Sequence, residues 1–554
     1  MVTVRPEVWS TLLFCLVGQE FFHLHTHPWW DGPISIIFCS ALYATILWVI
    51  LGLLELVRRK YAILSNTIVV LLHILIIGFC FSNIFLVLTF RRHWDAFTLN
   101  FVKETSMQEA TEFLSSFLFT LPTLFLLLAT IAVIGFEYYL GKRLKPLPFI
   151  PQNPKWRICL IEFGVLMLAH FVFFSLDYKA NYERAYGLPI KRTSLWQIQQ
   201  SALQFNENRE DFLRCAATLK DYDETLTQAK DSVDFVLIIG ESYDICRSSI
   251  YGCPLNTTPN LKKRQDNGEL IIFNNVRACY NGTTSSFQTF MSCSNSEDEH
   301  EWWKKPLFPA VLRKAGYNVV YFSNQFVRND DLDMFDASMG FLNHPQIEPY
   351  IFDVRNNHTS PYDMGLIDDY VKRRDKVEKV GPNFVVFHLF GQHERAEKRY
   401  PKRFGSFNVE NIKNVKNLFY EEASESQISD VAKYLNATEY NDMVVENIIK
   451  LFENRNAIIL YIADHGEEIY NYRDQKGRTD MTTDEDEAKH HQLDVPFVFY
   501  LSPQFQQSHP TLKEKIQNAK DKSFKLNLLS NVVFDILSVD SKFYDVDKDP
   551  LNLD

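Results

Sequence analysis

Four hydroxyl side chains stand in a row at Thr283, Thr284, Ser285 and Ser286, within CYNGTTSSF (279–287). A Thr or Ser hydroxyl is a weak nucleophile at neutral pH, and most such rows are solvated loop. It becomes reactive beside a base or a metal ion, which lowers the cost of its ionised form. Suitable neighbours stand at the ends of other apolar runs. FVLIIG (235–240) is followed by Glu241, AIILYIAD (457–464) ends in Asp464 and leads to His465, and FVVFHLFGQH carries His388 and His393. Each has a bland reading alone, the glutamate as a helix-cap partner and a histidine as a satisfied core residue. Together, two carboxylates and an imidazole form a donor set suited to Zn2+ with an open fourth position. The carboxylates leave Mn2+ or Mg2+ as alternatives, and the histidine favours zinc. His388 and His393 would hold phosphate oxygens or protonate a leaving group. This chemistry is phosphoryl or sulfuryl transfer through a covalent intermediate.

Such residues meet only if a sheet brings them together. Apolar runs recur at 235–240, 270–276, 318–323, 383–391, 457–464 and 495–501, with helix-like segments such as PLFPAVLRKAG between them. This alternation predicts an α/β domain with a mostly parallel central sheet covered on both faces. Sites in such sheets form past the carboxyl ends of the strands, where Glu241, His388 and Asp464 stand. Residues 476–491, KGRTDMTTDEDEAKHH, read as a polar, acidic loop.

The first third differs. Five stretches, about 8–25, 33–57, 65–90, 113–139 and 157–176, are long and apolar enough to cross a hydrocarbon core of roughly 30 Å as helix. Gln19 and Glu20 interrupt the first. Arg58, Arg59 and Lys60 follow the second stretch, and Lys142, Arg143, Lys145 and Lys155 follow the fourth. By the positive-inside rule these loops are cytoplasmic, which puts residues 177–554 outside. The expected organisation is a transmembrane domain of five helices (1–176), a helical connector (177–230) and an external catalytic domain (231–554). A net charge of −11 gives no basic surface for nucleic acid. Cys279 and Cys293 bracket the hydroxyl row and are placed to close a loop around it. HLHTH (23–27) reads as polar residues at the outer membrane interface rather than as a second metal site.

The catalytic part resembles a known family. GESYDICRSSIYGCPLNTTPNL, FNNVRACYNGTTSSFQTFMS, YFSNQ, FHLFGQHERAEKRYP, YLNATEYNDMVVENIIKLFEN and YIADHGEEIYNYRD occur in this order across roughly 233–503. The set resembles the lipid A and lipopolysaccharide-core phosphoethanolamine transferases, inner-membrane enzymes with five transmembrane helices and a periplasmic sulfatase-like (alkaline phosphatase superfamily) domain. HLFGQHERAEKRYP and FSNQ look closer to the core-modifying branch. The resemblance implies zinc held by Glu241, a threonine of the hydroxyl row, Asp464 and His465, with His388 and His393 at the phosphoryl group. Counting seven positions from Val276 places the nucleophile at Thr283, with Thr284 as the alternative. The implied activity moves phosphoethanolamine from phosphatidylethanolamine, through a phosphothreonine-type intermediate, to lipopolysaccharide or another envelope acceptor. The alternative is a phosphoglycerol transferase using phosphatidylglycerol. Two departures stand out. The family has a further active-site histidine about a dozen residues after the Asp-His pair, where this chain reads KGRTD; His490 and His491 are the candidates to replace it. YDICRSS also stands where many relatives are rich in Thr and Arg.

Overall fold

The computed structural model describes residues 2–23, 32–90, 117–150, 210–229, 233–298, 301–325, 345–393, 395–479 and 486–552, with a few more between 94 and 113 and Leu342. The chain divides into two compact units, Met1–Glu207 and Asn208–Asp554.

Among its described residues the first unit has four long helices, α1 (Pro6–His23), α2 (Gly32–Arg58), α3 (Ala62–Phe90) and α4 (Leu121–Arg143). Val8, Leu12, Leu47, Leu51 and Val69 form a shared core. Apolar residues also face outward: Ile63, Leu75, Leu121 and Leu128 are all largely exposed. A surface of this kind suits hydrocarbon rather than water. Among the described residues, Ser40–Arg58, Ala62–Thr89 and Leu121–Arg143 are long and apolar enough to cross a membrane. They correspond to the second, third and fourth expected stretches. The fourth begins at Leu121 rather than near 113, because 118–120 form a turn and a proline opens the helix. α1 is helical but less apolar; its buried Glu20 accepts a 2.7 Å hydrogen bond from Tyr43. The fifth stretch (157–176), connector residues 177–209 and residues 24–27 of HLHTH lie outside the described residues.

In the second unit, seven strands make the central sheet: β1 (Asp234–Gly240), β2 (Leu270–Ile272), β3 (Asn318–Ser323), β4 (Val354–Arg355), β5 (Asn383–His388), β6 (Ala457–Ala463) and β7 (Phe497–Leu501). The order is β2-β7-β6-β1-β5-β3-β4. β1, β3, β5, β6 and β7 are buried along their whole length, as the near-continuous apolar runs require. The expectation of a mostly parallel sheet is corrected to a mixed one. β6-β1-β5-β3-β4 are parallel, whereas β7 runs antiparallel to both β6 and β2. The reason is the connection: Phe497 of β7 pairs with Ile462 at the carboxyl end of β6. Residues 464–496 therefore return at the edge they left, with no crossover to the far end. The run 270–276 also divides, since Val276–Arg277 leaves the main sheet to pair with Phe524–Lys525. The segment 476–491 is not all loop, because α7 spans Asp486–Leu493. Phe212, Cys215, Leu219, Tyr222 and Leu226 of the connector join the core of this unit.

Two further helices matter for the site. α5 (Thr283–Met291) follows the Val276–Arg277 strand, and α6 (Glu425–Phe452) packs on the sheet, opened by a reciprocal Ser424–Gln427 capping box. The buried Asp442 carboxylate of α6 receives the backbone N–H groups of Asn260 (2.9 Å) and Leu261 (2.8 Å) and the Asn260 side chain (2.7 Å). It thereby caps the helix Pro259–Asp266, whose first N–H groups have no partner within the helix. Replacement Asp442→Ala leaves those donors buried and unpaired. The expected outcome is a loss of roughly 2–4 kcal/mol in denaturant-induced unfolding. An unchanged midpoint would remove this carboxylate from the structural account.

Candidate active site

Register alone delivers the chemistry to one edge. β1 pairs Ile239 with His388 of β5 and Gly240 with Ala463 of β6. Glu241 and Asp464 thus step off adjacent parallel strands side by side, and Asp464 N donates to the Gly240 carbonyl at 3.1 Å. The turn after Glu241 is tight. Ser242 takes a positive φ of 54°, uncommon for a non-glycine residue, and Tyr434 of α6 clamps it. The Tyr434 hydroxyl donates to the Ser242 carbonyl (2.5 Å) and accepts from Asp244 N (2.7 Å). Gly391 has φ +53°, and a Cβ there would lie 2.9 Å from the Glu241 backbone. The turn in HLFGQH therefore requires glycine so that the β5 loop can close over Glu241.

Glu241, Asp464 and His465 are each fully buried, and one ligand atom from each lies within 4.8 Å of the others. His465 Nε2 lies 3.2 Å from Glu241 Oε1 and 3.3 Å from Asp464 Oδ2. Its Nδ1 faces the Gly466 carbonyl at 2.8 Å, a contact that needs the proton on Nδ1 and leaves the Nε2 lone pair facing the carboxylates. Asp464 Oδ2 makes no hydrogen bond. Burial alone would raise the Glu241 carboxyl, but His465, His393 and Arg478 outweigh it and hold Glu241 well below its ordinary range. Burial and the adjacent Glu241 charge push Asp464 well above its own. Two buried carboxylates this close repel, and the pair needs compensating positive charge. Two carboxylates and a lone-pair nitrogen, with one buried oxygen left without a donor, fit a divalent cation.

The hydroxyl row resolves into different environments. Thr283 is the first residue of α5, and its Oγ1 donates to Glu241 Oε2 at 3.2 Å and lies 3.3 Å from His465 Nε2. Ser286 instead donates to the Tyr280 carbonyl at 2.7 Å. Thr284 and Ser285 are half-buried. Cys279 and Cys293 are free thiols, so the loop that they could have closed is not formed.

His388 is fully buried, with Nδ1 3.1 Å from both the Tyr321 hydroxyl and Ser323 Oγ, and its ring packs against Phe287 of α5. Its Nε2 makes no hydrogen bond. His393 is half-buried and near enough to Glu241 to help keep it ionised. His490 and His491, the sequence candidates for an additional active-site histidine, lie elsewhere, grouped with Cys246 and Asp244. The residue that reaches the centre from KGRTD is Arg478, which sequence reasoning passed over. Its Nη1 lies 3.0 Å from His465 Nε2 and 3.3 Å from the Asn281 carbonyl. Gln325 was also missed; its Nε2 donates to Glu241 Oε2 (2.8 Å) and the Leu389 carbonyl (2.9 Å). Gln492 of α7 ties the loops together. Its Oε1 accepts from Asn281 and Thr479 N, both at 2.9 Å, and its Nε2 donates to Glu468. The signal for Arg478 and Gln325 was position alone, a polar side chain just beyond a strand or turn.

Burial pushes the His388 imidazole down to about 4, so the folded chain refuses a proton that the unfolded chain accepts below its ordinary value of 6.5. The unfolded state then binds more protons, and stability falls as pH drops from 6.5 towards 4. In the His388→Asn variant that contribution is absent. Comparing the unfolding midpoints of both proteins at pH 7 and pH 4.5 should show a pH-dependent loss smaller by up to about 3 kcal/mol in the variant. Equal pH dependence would mean that His388 titrates normally.

Comparison with known proteins places this architecture. Residues 234–531 match the sulfatase family. Phosphoethanolamine transferase EptC of Escherichia coli (strain K12) is 26% identical over 473 residues, covering 81% of this chain and 76% of that protein. Among solved structures, the lipooligosaccharide phosphoethanolamine transferase A (EptA) of Neisseria meningitidis, an integral membrane protein, aligns with a TM-score of 0.63 at 15% identity. That alignment covers 99% of this chain and 97% of that one. The periplasmic domain of E. coli EptC in complex with Zn aligns at a TM-score of 0.50 and 23% identity, over 60% of this chain and 88% of that one. The family match covers more than half of the chain and carries every strand of the central sheet, so the protein belongs to the sulfatase family, beside relatives named as phosphoethanolamine transferases.

Proposed function

We propose that this protein is a metal-dependent phosphoethanolamine transferase. It moves the headgroup of phosphatidylethanolamine to lipopolysaccharide, at lipid A or core, or to another envelope acceptor. One observation carries the reading: the Thr283 hydroxyl, at the first residue of α5, stands 3.2 Å from the ionised Glu241 carboxylate and 3.3 Å from His465. The names of the similar proteins support the transferred group. Glu241, Thr283, Asp464 and His465 are the residues we assign to Zn2+, and the Zn complex of the similar EptC domain supports that choice over Mn2+ or Mg2+. When bound, the ion offsets the buried carboxylate charge and lowers the pKa of the hydroxyl.

The chain's own residues then do the following. Glu241 accepts the hydrogen bond of Thr283 and orients its oxygen. That oxygen attacks the phosphorus of the donor, so the Thr283 O–P bond forms and the P–O bond to diacylglycerol breaks. His393, half-buried at the cluster, protonates the departing alkoxide. Glu241, hydrogen-bonded to Thr283, holds the proton that the hydroxyl gives up. In the second step the acceptor oxygen attacks the phosphothreonine and gives its proton to His393, the Thr283 O–P bond breaks, and the Thr283 oxygen takes its proton back from Glu241. The positive, N-terminal end of α5 and the Arg478 guanidinium supply positive charge to the phosphoryl oxygens. Arg478 so takes the place that the family gives to a further histidine. His388 supports the site from below through Phe287. The same reading assigns 1–176 to the inner membrane as a multi-pass domain, 177–230 to a connector and 231–554 to the periplasm, where both lipid substrates are held at high local concentration.

Three outcomes are expected. Thr283→Ala abolishes transfer while Thr284→Ala retains it, and peptide mass spectrometry locates a phosphoethanolamine adduct on Thr283; an adduct on Thr284 would move the nucleophile. Arg478→Ala lowers the transfer rate by roughly 10²-fold, whereas Arg478→Lys retains part of it; an undiminished rate would take Arg478 out of the chemistry. With purified lipids, the headgroup is taken from phosphatidylethanolamine and not from phosphatidylglycerol. The reverse preference would make the protein a phosphoglycerol transferase.

A further inference from the structure

The turn after β1 and the end of α7 bring a second set of metal-type donors together. Cys246 sits in the short 3₁₀ turn Ile245–Arg247, which is capped by Asp244. Its Sγ lies 3.2 Å from His490 Nε2. The neighbouring His491 points its Nδ1 at Asp244 Oδ1, 3.4 Å away. The donor atoms of Asp244, Cys246 and His491 lie within 4.8 Å of one another, with the His490 nitrogen against the sulfur. None of these four residues belongs to the Glu241–Asp464–His465 group.

The outer contacts are those that metal-binding imidazoles use. A ligating histidine commonly gives its other ring nitrogen to a carboxylate, which fixes the ring and raises its basicity. His490 Nδ1 meets Asp494 Oδ2 at 2.6 Å, and Asp494 is anchored by Arg277 at 2.5 Å. His491 Nε2 lies 3.7 Å from Glu487 Oε1, and its ring stacks on Tyr472. Asp244 is held through its other oxygen by Asn471 at 2.6 Å, which leaves Oδ1 turned to the cluster. Both inward ring nitrogens therefore present lone pairs when the outer ones carry the protons. The His490 side chain is 40% exposed, so an ion can reach the cluster from solvent. A thiol–imidazole hydrogen bond alone would need neither the second histidine nor the carboxylate.

We infer that Asp244, Cys246, His490 and His491 form a second metal site, selective for zinc by its sulfur and nitrogen donors. Asp244, Cys246 and His491 are the three donors already grouped, and His490, 3.2 Å from the sulfur, is the fourth that closes a tetrahedral, structural site when the ion binds. Filled, it ties the turn following Glu241 to α7, the helix whose Gln492 holds the Asn281 and Thr479 loops. The site stands on this geometry whether or not the transferase reading holds.

Cobalt substitution of the full-length chain separates the two centres, because the Glu241 centre has no sulfur donor. The expected result is a sulfur-to-cobalt charge-transfer band in the near ultraviolet, retained in Glu241→Gln and lost in both Cys246→Ser and His490→Asn. X-ray absorption of the zinc form should show one sulfur at about 2.3 Å. On the wild-type chain, zinc should slow alkylation of Cys246 by iodoacetamide at least tenfold, read by peptide mass spectrometry; this measurement needs no variant to fold. A cobalt-loaded wild type without the band, a band that persists in Cys246→Ser, or equal alkylation with and without zinc would each overturn the assignment. Equal alkylation would leave Cys246 a thiol paired with His490.

Discussion

Two carboxylates placed next to each other in a fully buried pocket are the constraint around which the rest of the catalytic unit is arranged. Glu241 and Asp464 leave adjacent parallel strands at the same level, so the backbone register of β1 and β6 puts them together regardless of side-chain preference. A protein interior does not tolerate two such anions unaided. The surroundings answer with His465 between them, His393 and Arg478 close by, and hydrogen bonds from Ser242, Gln325 and Thr283. Even so Asp464 is held well above its ordinary range by burial and the adjacent Glu241 charge, and it keeps an oxygen without a donor. A buried carboxylate pair left short of positive charge is built to take a cation.

The same pocket dictates local backbone choices around it. Ser242 accepts a left-handed conformation because Tyr434 grips the turn from both sides, and Gly391 is glycine because the Glu241 backbone leaves no space for a Cβ. α5 starts at Thr283, so its hydroxyl stands at the positive end of the helix. Gln492 binds the loops carrying Asn281 and Thr479, drawing α7 into the support of the site. Position in the chain explains little of this. Residues from 241, 283, 325, 393, 465, 478 and 492 converge because the sheet edge collects the loops that follow its strands.

The membrane-type unit follows another rule. Among the described residues, Glu20 pairs with Tyr43 and His73 with Glu137 at 3.0 Å across α3 and α4, whereas the buried Gln19 and Thr11 side chains make no hydrogen bond. An ionisable pair between apolar helices is costly unless each member has a partner, and these do. The outward faces of α3 and α4 carry leucine and isoleucine, so hydrocarbon rather than water is their matching solvent.

Much of this was legible in the amino-acid order, for physical reasons. Runs such as FVLIIG and AIILYIAD are apolar throughout because strands covered on both faces have no solvent side, so the strands, the α/β class and Glu241, Asp464 and His465 at the strand ends could all be read. Ionic and metal-type residues directly after such runs are local signals. Long apolar helices are equally local, which is why three of the expected spans appear where composition put them. The direction of β7, the free state of Cys279 and Cys293, the arrival of Arg478 and Gln325 at Glu241, and the departure of His490 and His491 to Cys246 were not local. Each depends on which edge a connection returns to, or on how segments distant in the chain pack together. Hydrophobic periodicity records whether a residue is buried; it carries no record of its distant neighbours. The sequence by itself determined the strands, the helices and the chemical residue types, because each is set within a few residues. Only the tertiary structure decided which hydroxyl meets the carboxylates and which histidines join them, because those contacts are made between segments from 42 to 182 residues apart or more.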